Sequence, residues 1–551
     1  MKNANELFAA LRSEIDWERM HRDLLAFNEW ERYSGSDNGE AAARYMDARL
    51  RELGLEVETE TYPLYRSLPI SAKVTACGRE LDSTPFVYSA PCSGFEAPLV
   101  FDEWSEKGSC SQKDLAERCK DFRGKVVLTF DESFNFGRAA AQAGAVGIVS
   151  IWKVDLLHHG TLGGVWGNPE PEELLTRYPM IPYTEIGRGD GEWLRDQVRA
   201  GDVTVRLDIE MDNRIVESTM PVALVRGQSE KYVLVSGHYD SWYEGITDNG
   251  VANIFMLELA RLLKKHQNDL LRSVRLAWWS GHSDARYAGS AWYCDHHFED
   301  LRKNCVAHVN MDICGCMGSD LVGFNTGMLE GRAVNDAVLK DYNDEPPMAP
   351  VPMARFADQT FWGADVPFTI MPKYTLKKPG VVPFFWWWHS KEDTIDKVDP
   401  AVAVRDGEII ARLTALFANA EHLPMAGVEY VSWMETVLRD LQGRLTKDFD
   451  LSPVFPKLEA LKEHLAKLER EGAFKCDDTV KRVGGALTRA AFTSADRFGQ
   501  DPAVDYGLFP GLNIARDQTP DNTTPEYYLA LITRFTRQRT RLLALLEEAM
   551  A

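Results

Sequence analysis

What this sequence lacks narrows its class before any motif is read. No uninterrupted apolar run opens the chain. Met1-Lys2-Asn3-Ala4-Asn5-Glu6 leads instead into a charged amphipathic stretch, so neither a secretory leader nor a membrane span is expected, and the expected location is cytoplasmic. Cysteine is scarce and odd in number. Nine residues scattered through 551 make no disulfide framework and suit a reducing compartment. Positive charge is in deficit, with 62 Lys and Arg against 83 Asp and Glu and a formal charge of -21. Such a surface repels phosphate, so neither nucleic acid nor an anionic membrane is an expected partner.

What remains is ordinary globular composition, 45% hydrophobic and 26% charged, in a chain long enough for about two to four domains. Helical spacing is read over residues 13–50, with the loop at 34–39 capping a helix from about 40, followed by a strand at 55–62. The texture changes between 86 and 220. Short strands are expected at 99–101, 125–130, 144–149, 181–183 and 203–209, with a short helix at 138–142. From 231 to 371 apolar strands alternate with helices, which argues for a mostly parallel sheet flanked by helices, an α/β fold. Helices alone are expected after 424, at 429–446, 455–471, 480–492 and 526–550. Their spare apolar faces suit a bundle or a homodimer contact.

Within 233–312, residue types that bind metals stand where apolar strands stop. Gly237-His238-Tyr239-Asp240-Ser241 ends one strand, Asp248-Asn249-Gly250 precedes a helix, Gly281-His282-Ser283-Asp284 ends a second strand and Asn310-Met311-Asp312 a third. An open α/β sheet places its ligands beyond the carboxyl ends of its strands. Carboxylates with neutral imidazoles suit zinc or a neighbouring divalent ion, and His389 after the apolar run at 381–388 extends the set. His158-His159, adjacent histidines on a loop, are expected to meet solvent, and Cys314-Gly315-Cys316 lacks the spacing of a zinc ribbon, so neither is given a metal role.

These motifs, with Gly289-Ser290 and His389-Ser390-x-x-Asp393-Thr394, resemble the M28 metallopeptidases in order and spacing over 230–400. Gly124-Lys125-Val126-Val127-Leu128, Ala143-Gly144-Ala145-Val146-Gly147 and Ile181-Pro182 resemble a protease-associated insert. Together with the helical tail, this matches the glutamate carboxypeptidase and transferrin receptor branch. The resemblance implies an M28-like domain at 1–85 and 221–424, a β-rich insert at 86–220 and a helical C-terminal domain at 425–551. It also implies that His238 and Asp312 hold one metal, that Asp248 bridges, that His389 serves a second metal and that Asp240 orients His238. One or two ions are expected, zinc first, with manganese, iron, cobalt or nickel as alternatives.

The sequence departs from the family at 281–284. Counting back from Gly289-Ser290 sets Ser283 on the usual glutamate base and Asp284 on the usual glutamate ligand, and a serine hydroxyl alone is no general base near neutrality. Either His282 takes protons, or His282 becomes a ligand and Asp284 takes them, or hydrolysis is lost. His282, Asp284 and Asp240 are therefore the candidate catalytic residues, with Asp284 also a candidate ligand. The aromatic run Phe384 to Trp388 directly before His389 suits an apolar small-molecule or short-peptide substrate, while Trp242, Trp278, Trp279 and Trp362 are read first as core. Arg355 and Arg286 are candidates for a substrate carboxylate. The expected activity is metal-dependent cleavage of an amide bond of aminopeptidase or amidohydrolase type. The rival readings are a binding protein that kept the scaffold, or a metal-dependent lyase or cyclase.

Overall fold

The strand Ser229–His238 shows why this stretch reads as a continuous apolar run. Successive side chains of a strand point to opposite faces. Here Val233 and Val235 enter the core shared with the N-terminal helices, while Tyr232 and Leu234 enter a second core under the helices Ala288–His296 and Phe298–Asn304. With both faces covered, neither set of positions is polar. The coordinates are a computed structural model that describes residues 2–108, 110–161, 163–178, 181–342, 348–378, 380–382 and 384–551.

Ser229–His238 pairs in parallel with Arg272–Trp279 on one side and Cys305–Asn310 on the other. Cys305–Asn310 pairs in parallel with Phe368–Thr375, which pairs antiparallel with Leu321–Thr326. The chain leaves Ser229–His238 through the helix Val251–Lys265 to reach one neighbour, then crosses back under Ala288–His296 and Phe298–Asn304 to reach the other. Strand order reverses at His238, which is where an open parallel sheet leaves a crevice. The helix Val251–Lys265 is buried around nearly its whole circumference, packed on the sheet beside the helix Pro400–Asn419 and against the N-terminal helices.

Two strands are far longer than the sequence suggests. Glu56–Ala76 and Val203–Val225 form an antiparallel ribbon that runs through a bulge at 69–71 and carries one sheet from the central strands into the 86–220 region. Pro63 and Pro69 read as strand breakers. They are tolerated because Glu56–Ala76 has one long partner, and the edge without a partner needs no N–H. The expected boundary at 220/221 thus falls inside a strand. Beyond the ribbon, Cys92–Phe101, Val126–Thr129, Gly147–Ile151 and Tyr183–Ile186 lie side by side in parallel, each contributing apolar side chains to one buried cluster.

Within the expected helical stretch at 13–50, Trp17–Phe27 and Asp37–Glu52 flank the expected loop, the second capped by Ser36, and a further helix, Ala4–Ser13, precedes them. The tail folds as Gly427–Gly443, Val454–Arg470, Asp477–Phe492 and Pro525–Met550. Its leucines share one core with the N-terminal helices and the central sheet. Among the described residues, no helix is long and apolar enough to cross a membrane.

Candidate metal centre

Every residue of the centre stands just beyond a strand's carboxyl end or on the loop facing it. His238 ends the central strand, and its Nδ1 donates to the Asp240 carbonyl at 2.9 Å, which leaves Nε2 to face the carboxylates. That Nε2, a proton donor here and a lone-pair nitrogen only when deprotonated, lies 3.1 Å from Asp248 Oδ1 and 3.2 Å from Asp312 Oδ1. The second oxygen of Asp248 lies 3.3 Å from His389 Nε2. His389 in turn has its Nδ1 2.8 Å from the His159 carbonyl. Asp248 therefore sits between two imidazoles with one oxygen toward each, and each imidazole has its other nitrogen on a backbone carbonyl. Burial by itself would depress the His238 pKa, but the facing charges of Asp312 and Asp248 outweigh it and hold the imidazole well above its usual value.

Several groups that hold this arrangement carry no role in the sequence reading. Asp393 accepts Thr247 N at 2.9 Å, Thr247 Oγ1 at 2.7 Å and Asp248 N at 3.0 Å, which fixes the turn carrying Asp248; burial pushes its own carboxyl up to about 7. Asn253 and Asn249 donate to the His238 and Met311 carbonyls, each at 2.9 Å. Arg32, fully buried, donates to the carbonyls of Tyr239, Glu244 and Gly245 at 2.8, 2.8 and 2.9 Å. An Arg in an irregular segment two hundred residues away carries no local signal of this contact. The carboxylate of Asp240 accepts His282 N at 3.2 Å and Ser283 N at 2.9 Å, so it orients the 281–284 loop as well as facing His238.

The structure separates the residues of that loop. The His282 ring stacks on His238 with centroids 3.9 Å apart, and donor atoms of His238, His282 and Asp312 all lie within 4.8 Å of one another. His282 Nδ1 is 2.7 Å from Asp358, a fully buried carboxylate that also accepts Ser290 Oγ at 2.6 Å. Burial works to raise the Asp358 pKa, but His282 and Ser290 hold it below the usual range. Asp284 goes elsewhere. Its Oδ2 accepts Ser34 N at 3.0 Å, it does not line the cavity, and burial with the Asp240 charge pushes its carboxyl up to about 7. The expected place of Asp284 beside the metal is therefore not the one the fold gives it: the turn aims His282 inward and Asp284 back toward the N-terminal loop.

A cavity of about 280 Å³ opens from these groups, walled by Trp242, Phe356, Phe384, Trp388, Tyr287 and Arg286 among others. Trp278, Trp279 and Trp362 are instead core, at most 2% exposed. Arg355, expected at a substrate carboxylate, lies off the cavity. It donates to Gln359 O at 2.6 Å and Asp501 O at 2.8 Å, and its guanidinium sits 3.7 Å over the Trp166 ring; burial lowers its pKa to about 10. His158 and His159, expected to meet solvent, are both buried, and His159 reaches the cavity. It serves as a wall, its Nδ1 3.2 Å from Thr84 Oγ1 and its ring against Trp242 and Tyr243, and burial drives its pKa down to about 3. The buried Cys314 and Cys316 fall outside the donor cluster.

Residues 222–414 match the model of peptidase family M28. A probable leucine aminopeptidase 2 of Arthroderma benhamiae is 28% identical over 251 residues, 44% of this chain and 46% of its own length. Carboxypeptidase Q of Xenopus laevis is 24% identical over 398 residues, 67% of this chain and 79% of its own length. The chain thus spans less than half of the first relative and about four fifths of the second. BSAP, a zinc aminopeptidase from Bacillus subtilis, has the same fold, with a TM-score of 0.55 at 18% identity over 77% of this chain and 98% of that one.

Proposed function

We propose that this chain, whose residues 222–414 form a domain of peptidase family M28, is a metal-dependent hydrolase that cleaves an amide bond in a small peptide-like substrate. The observation that carries the reading is the position of Asp248, with one oxygen 3.1 Å from His238 Nε2 and the other 3.3 Å from His389 Nε2. A divalent cation, zinc first, fits this donor set: His238 and Asp312 on one side, His389 on the other and Asp248 between them. Each imidazole has its second nitrogen already satisfied, as metal-ligating histidines do. When bound there, such a cation supplies Lewis acidity at a carbonyl oxygen and makes water acidic enough to react near neutrality.

The chain's own groups do the rest. His282, with Nδ1 engaged by Asp358, has Nε2 left for the cavity and for a proton in transit. Asp240 holds the loop that carries it. The aromatic walls exclude water from the substrate's apolar part, and a cavity of about 280 Å³ takes a fragment of amino-acid size.

The test is metal content and turnover on purified protein. The expected result is at least one equivalent of zinc, loss of amide cleavage on chelation and its return with added zinc, and an Asp248→Asn variant that loses both metal and activity. A protein fully loaded with metal that cleaves none of a panel of aminoacyl anilides, N-acyl amino acids and dipeptides would overturn the reading.

A further inference from the structure

Around the donor set, the cavity is unevenly furnished. Among its described lining residues the carboxylates are Asp248 and Asp312, both within the donor set. No other acidic side chain is there to receive the ammonium of a free amino terminus. The lining does hold one guanidinium, Arg286. It comes from the same loop as His282 and is fixed from two directions: Nε donates to Gly163 O and Nη2 to Ala503 O, each at 3.2 Å. Nη1 lies 3.5 Å from Tyr287 Oη. A guanidinium has five N–H donors, and this inventory leaves one on each Nη for a ligand. A carboxylate oxygen accepts charge-assisted bonds from such donors. His159, the basic side chain that the insert supplies, is already engaged, with Nδ1 3.2 Å from Thr84 Oγ1 and its ring against Trp242 and Tyr243. The other large walls of the cavity are aromatic: Trp242, Phe356, Phe384 and Trp388.

We infer that the cavity is built for the carboxylate end of an N-acylated apolar or aromatic amino acid, with Arg286 as the specificity residue, rather than for a substrate with a free amino terminus. This rests on the hydrolase reading above for the bond that is cut, but the recognition itself does not. The scissile amide then joins an acyl group to the amino acid's nitrogen. Water adds to the acyl carbon, the C–N bond breaks, and the nitrogen leaves with a proton, giving a carboxylic acid and a free amino acid.

Binding and turnover on the zinc-loaded full-length protein separate the possibilities. Three probes share one side chain: N-acetyl-L-phenylalanine, its neutral primary amide, and L-phenylalaninamide with its free amine. By calorimetry the first is expected to bind about tenfold or more tighter than the other two, the value of one good charge-assisted pair. In Arg286→Met that preference disappears while zinc content is unchanged, and Arg286→Lys recovers part of it. Should a carboxylate simply ligate the zinc, the preference would survive in Arg286→Met, and the inference would be wrong. It would be equally wrong if L-phenylalaninamide bound as tightly as the acid, or if no probe bound at millimolar concentration. The probe comparison on unsubstituted protein stands even if a variant fails to fold. Arg286-dependent binding without cleavage would sink the hydrolase and leave the recognition; cleavage of every amide without preference for the acid would do the reverse.

Discussion

The imidazole of His282 and the carboxylate of Asp284 are two positions apart, and the turn between them sends one into the cavity and the other toward Ser34. Asp358 then fixes which nitrogen of His282 is free. Asp358→Asn is therefore expected to lower kcat/KM by about 10- to 100-fold, as losses of such supporting hydrogen bonds do, with the fold intact by circular dichroism. Arg355 predicts the opposite split. Because it satisfies the carbonyls of Gln359 and Asp501 rather than facing the cavity, Arg355→Leu should cost about 2 to 4 kcal/mol of stability in denaturant titration and leave KM nearly unchanged. A third residue sets a pH dependence far from the metal. Burial raises the Glu132 carboxyl from 4.5 to about 7. Below pH 4.5 folded and unfolded chains both hold this proton. Between 4.5 and about 7 the folded chain holds more of it, so stability falls as pH rises through that window. Glu132→Gln should match the parent near pH 4 and exceed it by at most about 3 kcal/mol above pH 7, read from paired denaturant curves. Histidines and aspartates at strand ends were legible at this scale as a set. Asp358, Arg32 and the cavity place of His159 were not, because each acts through contacts that its neighbours in sequence do not foreshadow.

At the scale of elements, alternation of apolar strands and helices from 229 to 375 identified the central sheet. The apolar circumference of Val251–Lys265 likewise announced a buried helix. The helix Pro400–Asn419 went unread although Asp399 caps it and Pro400 opens it, a standard start signal. Its packing has a sharp consequence. Gly407 faces the Phe255 ring of Val251–Lys265, and a Cβ added there would overlap that ring. Gly407→Ala is thus expected to destabilise by about 1 to 3 kcal/mol despite its better helix propensity, since overpacking outweighs propensity in a filled core. A denaturation midpoint unchanged or raised in this variant would show that the two helices separate easily. The length of Glu56–Ala76 stayed hidden for a related reason: alternation and proline content describe a strand's own faces, and only its single long partner explains why Pro63 and Pro69 are harmless.

For the whole molecule, the helical tail is bound into the structure rather than appended. Arg489 Nε and Arg497 Nη2 reach the two oxygens of Asp365 at 2.7 and 2.6 Å, and Lys481 donates to the backbone carbonyls of Leu301, Cys305 and Asp365 beneath the sheet. Arg489→Ala leaves Asp365 partly uncompensated and should cost about 3 to 5 kcal/mol, displacing a single thermal transition rather than splitting one off. A separate low-temperature transition confined to the tail would contradict this. The sequence by itself determined the fold class and the strand and helix alternation of the central sheet, and it supplied the candidate ligand types, because periodicity and the residue types at strand ends are local properties. Tertiary structure alone decided which member of the 281–284 loop faces the cavity, that Arg286 rather than Arg355 lines it, and that the 86–220 region supplies a wall through His159. Those outcomes depend on how loops from four strand ends and a distant insert close over one another, and no periodicity within a single segment encodes that closure.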